Sequence, residues 1–306
     1  AVPTPGFSGI QKSLGYAVDL RINSLGTRGP EPGPKTKPRY LAVGDSFTMA
    51  AQVAEAETFA ARLGEDMGVE IFNAGVDGYG TMQALRRYQQ LDAKLDLDGV
   101  LLTFFVGNDV HDNMRWPQVQ SEARRMVSGK PLSRRPVGPV HGFLYKRSTL
   151  YAAVQMWLRR RALSQESHPE RHRWKSELML FMSEGAGVLG AQMPMTANAL
   201  ADLSRAVRER GDRLMVAVAP PAFQIETERL SATFALVGLD PNNARPDAVS
   251  QAVIDVLKRQ GIAYCDLVGP LRRAHEAGRE MYLQYDGHWS PKGHAIVADA
   301  MEKCFR

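Results

Sequence analysis

Short apolar runs alternate with longer amphipathic segments along most of the chain, and this alternation limits the fold more than any other feature. Five runs have the length of a strand: 40–43, 69–72, 99–106, 214–219 and 262–266. The segments between them carry apolar residues at helical spacing, and helices are predicted at 51–67, 197–211 and 248–260 among others. The run at 99–106 is almost continuously apolar, as expected of a strand covered on both faces. The pattern predicts an α/β fold with a flavodoxin-like parallel sheet of five strands and helices on both sides.

The length of 306 residues and the hydrophobic content of 44% allow one large domain with a sizeable core. We predict an extended N-terminal arm over residues 1–38, which are rich in proline and include a turn-rich patch at 23–29. The main domain is predicted over 39–306, with a helical insertion at about 111–195 after the third strand. No run of about 18 apolar residues occurs, so no segment is predicted to span a bilayer.

The net charge of +5 is unevenly distributed. Residues 115–175 hold 14 Lys and Arg against three Glu, a net charge of +11, whereas the rest of the chain carries −6. Such an excess attracts an anionic substrate, nucleic acid or a lipid surface, but a solvated helical insertion explains it equally well. A predicted helix at 145–161 has an apolar face, which suits peripheral membrane contact or, more commonly, packing on its own core. No nucleic-acid-binding motif accompanies the charge, so nucleic acid is not a predicted partner.

The first apolar run ends in Gly44-Asp45-Ser46, which places Ser46 at the carboxyl end of a strand. In open α/β sheets, ligands bind at this edge, because strand ends and helix N-termini meet there. Ser46 is therefore a candidate nucleophile. An Asp-Ser pair before a helix is also an ordinary N-cap, and these three residues taken alone favour the cap.

Other polar or glycine-containing loops supply what a nucleophilic serine requires. Gly75 follows the second run and Asn108 follows the third, while Asp286 and His288 lie in a late loop. His288 can accept the serine proton, and Asp286 can orient the imidazole. The backbone N–H groups of Ser46 and Gly75, with the Asn108 amide, could form an oxyanion hole.

Four blocks follow one another in the order found in the GDSL, or SGNH, hydrolase family: Gly44-Asp45-Ser46, Gly75, Gly107-Asn108-Asp109 and Asp286-Gly287-His288. The chain resembles this family from about Arg39 onward. The resemblance implies a three-layer α/β/α sandwich. It also implies that Ser46 is the nucleophile, that Gly75 and Asn108 hold the oxyanion and that His288 is the base. The Gly-x-Ser-x-Gly elbow of the conventional α/β-hydrolases is absent.

One departure from the family pattern concerns the spacing of the acid and the histidine. Most members place two residues between them, whereas only Gly287 separates Asp286 from His288. The Asp-x-His-Trp ending is similar to the branch that includes bacterial polysaccharide O-acetyltransferases, and to esterases that end in Asp-Gly-His. The resemblance therefore leaves both hydrolysis and acyl transfer open.

Three further patterns have simpler interpretations. His288, His294 and Asp286 could bind a metal, but His294 is predicted to pack on the terminal helix, and we predict no metal or other cofactor. The Gly-x-Gly-x-x-Gly pattern at 185–190 lacks a surrounding βαβ unit and does not predict a dinucleotide site. Cys265 and Cys304 could form a disulfide in an oxidising compartment, but the strand-like surroundings of Cys265 favour buried thiols.

These observations predict a serine esterase that removes a short acyl group, such as acetyl, from a carbohydrate or related alcohol through an acyl-enzyme. The first alternative is an O-acyltransferase that moves acetyl onto or from a polysaccharide, and the second is a non-catalytic carbohydrate-binding module. The predicted partner is a small-molecule or glycan ester, anionic if the basic segment contributes. Since the chain begins at Ala1 without methionine, removal of a signal peptide and an extracytoplasmic location are expected, with the cytoplasm as the alternative.

Overall fold

The computed structural model describes residues 2–117 and 169–305, together with residues 148, 151, 153–155, 157, 158 and 161. These residues contain the strands β1 (Ser8–Ser13), β2 (Tyr16–Arg21), β3 (Arg39–Gly44), β4 (Glu70–Asn73), β5 (Gly99–Phe105), β6 (Arg213–Ala219) and β7 (Tyr264–Asp266). The last five form a parallel sheet in the order β4-β3-β5-β6-β7. This is the flavodoxin-like order. The predicted fold is confirmed, and every predicted strand end lies within two residues of the observed one.

Helices cover both faces of the sheet. The described helices are α1 (Ser46–Met49), α2 (Phe59–Met67), α3 (Thr81–Leu95), α4 (Asp109–Met114), α5 (Pro169–Met179), α6 (Ala186–Glu209), α7 (Ala222–Ile225), α8 (Glu228–Leu236), α9 (Ala248–Gln260), α10 (Val268–Glu276) and α11 (Pro291–Phe305). One core lies between the sheet and α3, α6 and α9, and a second lies between the sheet and α2, α10 and α11. In β3, Leu41 and Val43 belong to the first core, whereas Tyr40 and Ala42 belong to the second. This alternation buries both faces of the strand that precedes Ser46.

Two helices differ from their predicted extents. The prediction of a single helix over 51–67 is wrong. Helix α1 ends at Met49, where Ala50 adopts a left-handed conformation with φ of 50°, and α2 begins only at Phe59. In contrast, α6 begins at Ala186, eleven residues before its predicted start at 197. Gly187 and Gly190 therefore lie within a helix, and not in the strand-to-helix turn that a dinucleotide-binding loop requires.

The N-terminal residues contain an antiparallel hairpin that the prediction of an extended arm missed. Strands β1 and β2 pair with Ser13 opposite Tyr16 at the turn. In β2, Val18 and Leu20 are buried while Ala17 and Asp19 are exposed. This alternation with a period of two was the available sequence signal. The hairpin brings Tyr16, near the start of the chain, into contact with Asp286 in the loop before the terminal helix.

The two cysteines form a disulfide, so their interpretation as buried thiols is wrong. Cys265 lies in β7 and Cys304 lies in α11, 39 residues later. The bond thus fixes the terminal helix to the outermost strand of the parallel sheet. Closing a loop of this length stabilises a folded chain by about 2–4 kcal/mol in typical cases.

The basic segment is mostly not described. Of the predicted insertion at about 111–195, the structure describes residues 111–117 and 169–195 together with the scattered residues named above, so the predicted helix at 145–161 lies largely outside the described residues. Within the part of the chain that is described, none of the helices combines the length and apolar character needed to cross a membrane.

Candidate active site

A tight turn between β3 and α1 presents Ser46. Gly44 has φ of 144°, and a Cβ there would lie 2.4 Å from Thr48 Oγ1 and 2.6 Å from the Thr103 carbonyl oxygen. The N-cap is Asp45, whose Oδ1 accepts a hydrogen bond of 2.9 Å from the backbone N–H of Phe47. Because Asp45 caps the helix, the Ser46 hydroxyl is not needed for capping. The residue is partly exposed at the edge of the sheet.

The structure brings Ser46, His288 and Asp286 into one hydrogen-bonded arrangement. His288 Nε2 lies 2.8 Å from Ser46 Oγ, and Asp286 Oδ1 contacts His288 Nδ1 on the other side of the ring. Between the acid and the histidine, Gly287 has φ of 81°, a conformation that favours glycine. The loop is held by the Leu283 N–H, which donates to the His288 carbonyl at 2.8 Å. This left-handed turn allows one intervening residue to bring both side chains together.

The electrostatics of the pair suit a base and its partner. Burial lowers the pKa of His288, but the hydrogen bond and charge of Asp286, with the charges of Asp45 and Asp77, raise it above its ordinary value. Burial raises the pKa of Asp286, but its hydrogen bonds to His288 and Tyr16 and the charge of His288 together outweigh this and leave the pKa below the usual range. Asp286 is therefore ionised at neutral pH, and His288 is a stronger proton acceptor than an isolated imidazole.

The second oxygen of Asp286 is reached from the N-terminal hairpin. The Tyr16 hydroxyl donates to Asp286 Oδ2 over 3.4 Å, across 270 positions of sequence. Tyr16 is the first residue of β2. Sequence reasoning missed this residue, because no local pattern connects a hairpin tyrosine to a distant aspartate.

A second missed residue, Arg28, holds the carboxyl end of the serine-bearing helix. Its guanidinium is buried and donates to the Met49 carbonyl at 2.9 Å, to the Ala50 carbonyl, and to the Val53 carbonyl at 2.6 Å. Burial lowers the pKa of Arg28 to about 10, so it is still charged at neutral pH. These bonds satisfy carbonyls that a four-residue helix leaves without partners. The turn-rich patch at 23–29 was the visible signal, but its role was not predictable from local sequence.

The predicted oxyanion residues lie beside the same turn. The Gly75 N–H donates to Asn73 Oδ1 at 3.1 Å, so this donor is already engaged within the protein. Asn108 precedes α4, and its Oδ1 is buried without a hydrogen-bond partner among the described residues. The Ser46 N–H lies in the first turn of α1, where backbone donors have no partner within the helix. The Ser46 N–H is therefore more available to an oxyanion than the Gly75 N–H, whereas Asn108 would contribute through its Nδ2, since its unpartnered Oδ1 is an acceptor.

The carboxyl-terminal part of the chain is similar to one protein family. Residues 180–306 match the family model described as the SGNH hydrolase-like domain of the acetyltransferase AlgX. The predicted resemblance to the SGNH hydrolases is confirmed. The matched part of this chain contains Asp286 and His288, while Ser46, Gly75 and Asn108 precede it. No curated protein matches the chain.

Solved structures with a similar fold include three bacterial proteins. A protein from Slackia heliotrinireducens assigned to the SGNH hydrolases is 14% identical, with 89% of this chain and 100% of that chain covered and a TM-score of 0.48. A protein from Desulfitobacterium hafniense DCB-2 assigned to the G-D-S-L lipolytic family is 12% identical, with 87% and 98% covered and a TM-score of 0.45. A catalytic mutant of the acetylxylan esterase Axe2 from Geobacillus stearothermophilus is 11% identical, with 87% and 93% covered and a TM-score of 0.45. These identities are too low for residue roles to be transferred.

Two buried carboxyl groups, those of Asp45 and Asp109, lie near Ser46. Burial raises the pKa of Asp45 to about 7. Burial also raises the pKa of Asp109 well above its usual range, and the charges of Asp45 and Asp112 add to this rise. Asp109 Oδ2 accepts a hydrogen bond of 3.0 Å from the Phe105 N–H. Asp45 thus caps α1, and Asp109, the first residue of α4, ties that helix to the end of β5.

His294 is buried in the terminal helix and has a structural role. It lies in α11 with 2% of its surface exposed, and its Nδ1 accepts a hydrogen bond of 3.2 Å from the Phe59 N–H. Burial lowers its pKa to about 3, so the ring is neutral. Within the described ranges, no group of three or more His, Cys, Asp or Glu side chains converges as metal ligands.

Replacing Gly75 with alanine is expected to lower kcat by about 100-fold, because displacing a reacting group by about 1 Å has effects of that size. A Cβ at Gly75 would lie 2.3 Å from the Met49 N and 2.7 Å from the Thr48 carbonyl carbon, so α1 and Ser46 must move. Steady-state kinetics with p-nitrophenyl acetate, together with urea unfolding, measure the effect. The matched control is Gly187→Ala in α6, where a Cβ meets nothing within 4 Å and activity should be unchanged. Unaltered kcat in the Gly75 variant would contradict this account of the turn.

Proposed function

We propose that this protein is a serine esterase that removes a short acyl group, acetyl above all, from a carbohydrate or related alcohol. The observation that carries the proposal is the 2.8 Å contact between His288 Nε2 and Ser46 Oγ, with Asp286 on the opposite ring nitrogen. A hydroxyl, a base and an orienting carboxylate in this order are the groups that nucleophilic acyl transfer requires.

The proposed reaction proceeds in two steps through an acyl-enzyme. Ser46 Oγ attacks the ester carbonyl carbon while His288 takes the hydroxyl proton, and the imidazolium that forms is stabilised by Asp286. The carbonyl oxygen becomes an oxyanion near the Ser46 N–H and the Asn108 side chain. Collapse of this intermediate breaks the ester bond, and His288 returns the proton to the departing alcohol. Water, deprotonated by His288, then attacks the acyl-serine and releases the carboxylic acid and free Ser46.

An O-acyltransferase is the second candidate, and the match of residues 180–306 to the domain of an acetyltransferase favours it. In this reaction a sugar hydroxyl replaces water in the second step. His288 deprotonates that hydroxyl in the same way. The two candidates therefore share every residue named above and differ only in the acceptor that reaches the acyl-enzyme.

The location is proposed to be extracytoplasmic, either periplasmic or secreted. The disulfide between Cys265 and Cys304 supports this proposal, because such bonds persist in oxidising compartments and are rare in the cytosol. An anionic substrate or a lipid surface drawn by the basic segment at 115–175 stays a prediction from charge alone.

Product analysis with the wild-type protein tests the proposal and separates the two candidates. The protein is incubated with acetylated oligosaccharides in ¹⁸O-labelled water, with and without an excess of unacetylated acceptor. Release of ¹⁸O-labelled acetate is the result expected for the esterase. Acetylated acceptor, detected by mass spectrometry, would instead establish the transferase. If neither product forms and a fluorophosphonate does not label the protein, the non-catalytic carbohydrate-binding module becomes the better description.

A further inference from the structure

A cavity of about 520 Å³ lies between the N-terminal hairpin and the segment that follows the serine-bearing helix. Leu283 and Pro291, which flank the loop carrying Asp286 and His288, also line it. The polar side chains around it are Tyr16, Asp19, Arg21, Gln52, Glu55 and Glu57. Ser46, Asp286 and His288 do not line the cavity, so it is separate from the reacting groups.

The cavity is nevertheless connected to the proposed catalytic site. Tyr16 lines the cavity, and its hydroxyl contacts Asp286, which in turn contacts His288. Gln52 lies three residues after the end of α1. The side chains of Tyr16, Asp286 and His288 therefore form a series of contacts from the cavity to Ser46 Oγ. That separation is suited to a substrate of several linked units, whose reacting ester and remote part occupy different places.

The chemistry of the lining favours a ligand that donates hydrogen bonds. The lining holds three carboxylates and the Gln52 amide oxygen but only one guanidinium, that of Arg21. One carboxylate, Glu57, already accepts a hydrogen bond of 2.9 Å from the Ala54 N–H. Gln52 Oε1 is buried and has no hydrogen-bond partner among the described residues, an unusual state for an amide oxygen. A hydroxyl group of a bound molecule would satisfy it. Because carboxylates exceed guanidinium groups, an anionic ligand is disfavoured at this position.

Aromatic surface lies beside the cavity. Tyr285 does not line it but is 48% exposed, and its ring would lie 3.6 Å from a Cβ on Gly15, a residue of the lining next to Tyr16. A tyrosine presents an apolar ring and a polar hydroxyl together. A sugar ring offers the complementary surfaces, with C–H groups on its faces and hydroxyl groups around its edge.

We propose that this cavity binds an uncharged carbohydrate unit of the alcohol part of the ester substrate. The proposal rests on the proposed function, since it describes how that same site would hold its substrate. The acyl group is placed at Ser46, and the sugar chain extends from it toward the hairpin. Residues of the N-terminal arm would thus determine which alcohol is accepted.

Two variants test the cavity by comparing a large substrate with a small one. Gln52→Met removes the unpartnered amide while keeping the side-chain length, and Asp19→Asn removes one carboxylate. With partly O-acetylated cellotetraose, each variant is expected to lower kcat/KM at least 10-fold, mainly through KM. With p-nitrophenyl acetate, which has no sugar, kcat/KM should stay within twofold of wild type. Asp202→Asn, at an exposed carboxylate on α6 paired with Arg205, is the matched control and should alter neither substrate.

Direct binding separates failure of this proposal from failure of the proposed function. Unacetylated cellotetraose is titrated into wild-type protein and into the Gln52→Met variant, and saturation-transfer NMR records the contact. Saturable binding by wild type that weakens at least 10-fold in the variant supports the cavity even if the protein hydrolyses no ester. The cavity proposal is overturned if wild type shows no saturable binding, or if both variants treat the acetylated sugar as wild type does. Equal losses with both ester substrates would also overturn it, since they would indicate a structural role.

Discussion

Replacing Ser46 with alanine is expected to abolish covalent labelling by a fluorophosphonate and to reduce kcat for p-nitrophenyl acetate by about 10⁴-fold or more, the scale found when a serine nucleophile is removed. The physical reason is that the 2.8 Å contact with His288 Nε2 would have no hydroxyl to deprotonate. The initial burst of p-nitrophenol should disappear together with the steady-state rate, because no acyl-enzyme can form. Rapid-mixing kinetics and mass spectrometry of the labelled protein measure these effects.

The matched control for this variant is Ser176→Ala. Ser176 is exposed on α5, and its hydroxyl donates only locally, to the His172 carbonyl at 2.9 Å. Labelling and burst amplitude should equal those of wild type. If the Ser46 variant keeps most of the wild-type rate or is still labelled, Ser46 is not the nucleophile and the proposed mechanism is wrong.

Replacing Asp286 with asparagine is expected to lower kcat by about 10³- to 10⁴-fold, because an amide at this position favours the wrong imidazole tautomer. The variant should also shift the pH profile. In wild type the pKa of His288 is raised, so activity is lost as the pH falls through a midpoint above 6.5 and the base becomes protonated. Without the Asp286 charge this midpoint should move to lower pH. The profile of kcat/KM against pH for p-nitrophenyl acetate measures both effects.

Asp77→Asn is the informative comparison for the pH profile. Asp77 raises the pKa of His288 through its charge, and Asp286 does so through a hydrogen bond as well. The Asp77 variant should therefore move the acid midpoint in the same direction by a smaller amount, with little loss of kcat. An unchanged midpoint in the Asp286 variant would show that this carboxylate does not govern the titration of the base.

The parallel sheet was predictable because its strands are buried on both faces and are therefore continuously apolar. The strongest example is β5, predicted over 99–106 and observed over Gly99–Phe105. The helix predicted at 248–260 coincides with α9, which Gly261 terminates in a left-handed conformation. At the site, the order of motifs predicted Ser46 and His288 as partners, and their side chains lie 2.8 Å apart.

The remaining features depend on contacts between residues that are distant in sequence. The short helix α1 ends at Met49 where buried Arg28 binds the carbonyls, and local helix propensity in 51–58 gives no sign of this. The contact between Tyr16 and Asp286 has no local signal either. The pairing of Cys265 with Cys304 was missed, because the strand-like surroundings of Cys265 favoured a buried thiol and the contact with α11 has no local signal.

The position of the site-forming residues along the chain has a consequence for biosynthesis. The ribosome releases the segment with Tyr16, Arg28 and Ser46 early. His288 follows Ser46 by 242 residues, so it is made much later. Domains fold as units during synthesis, and long-range contacts form late. A nascent chain that has folded only its first strands therefore carries the serine without its base. Under the proposed mechanism, the chain gains ester-cleaving or ester-transferring activity only after residue 288 has been translated, so a partly synthesised chain lacks that activity.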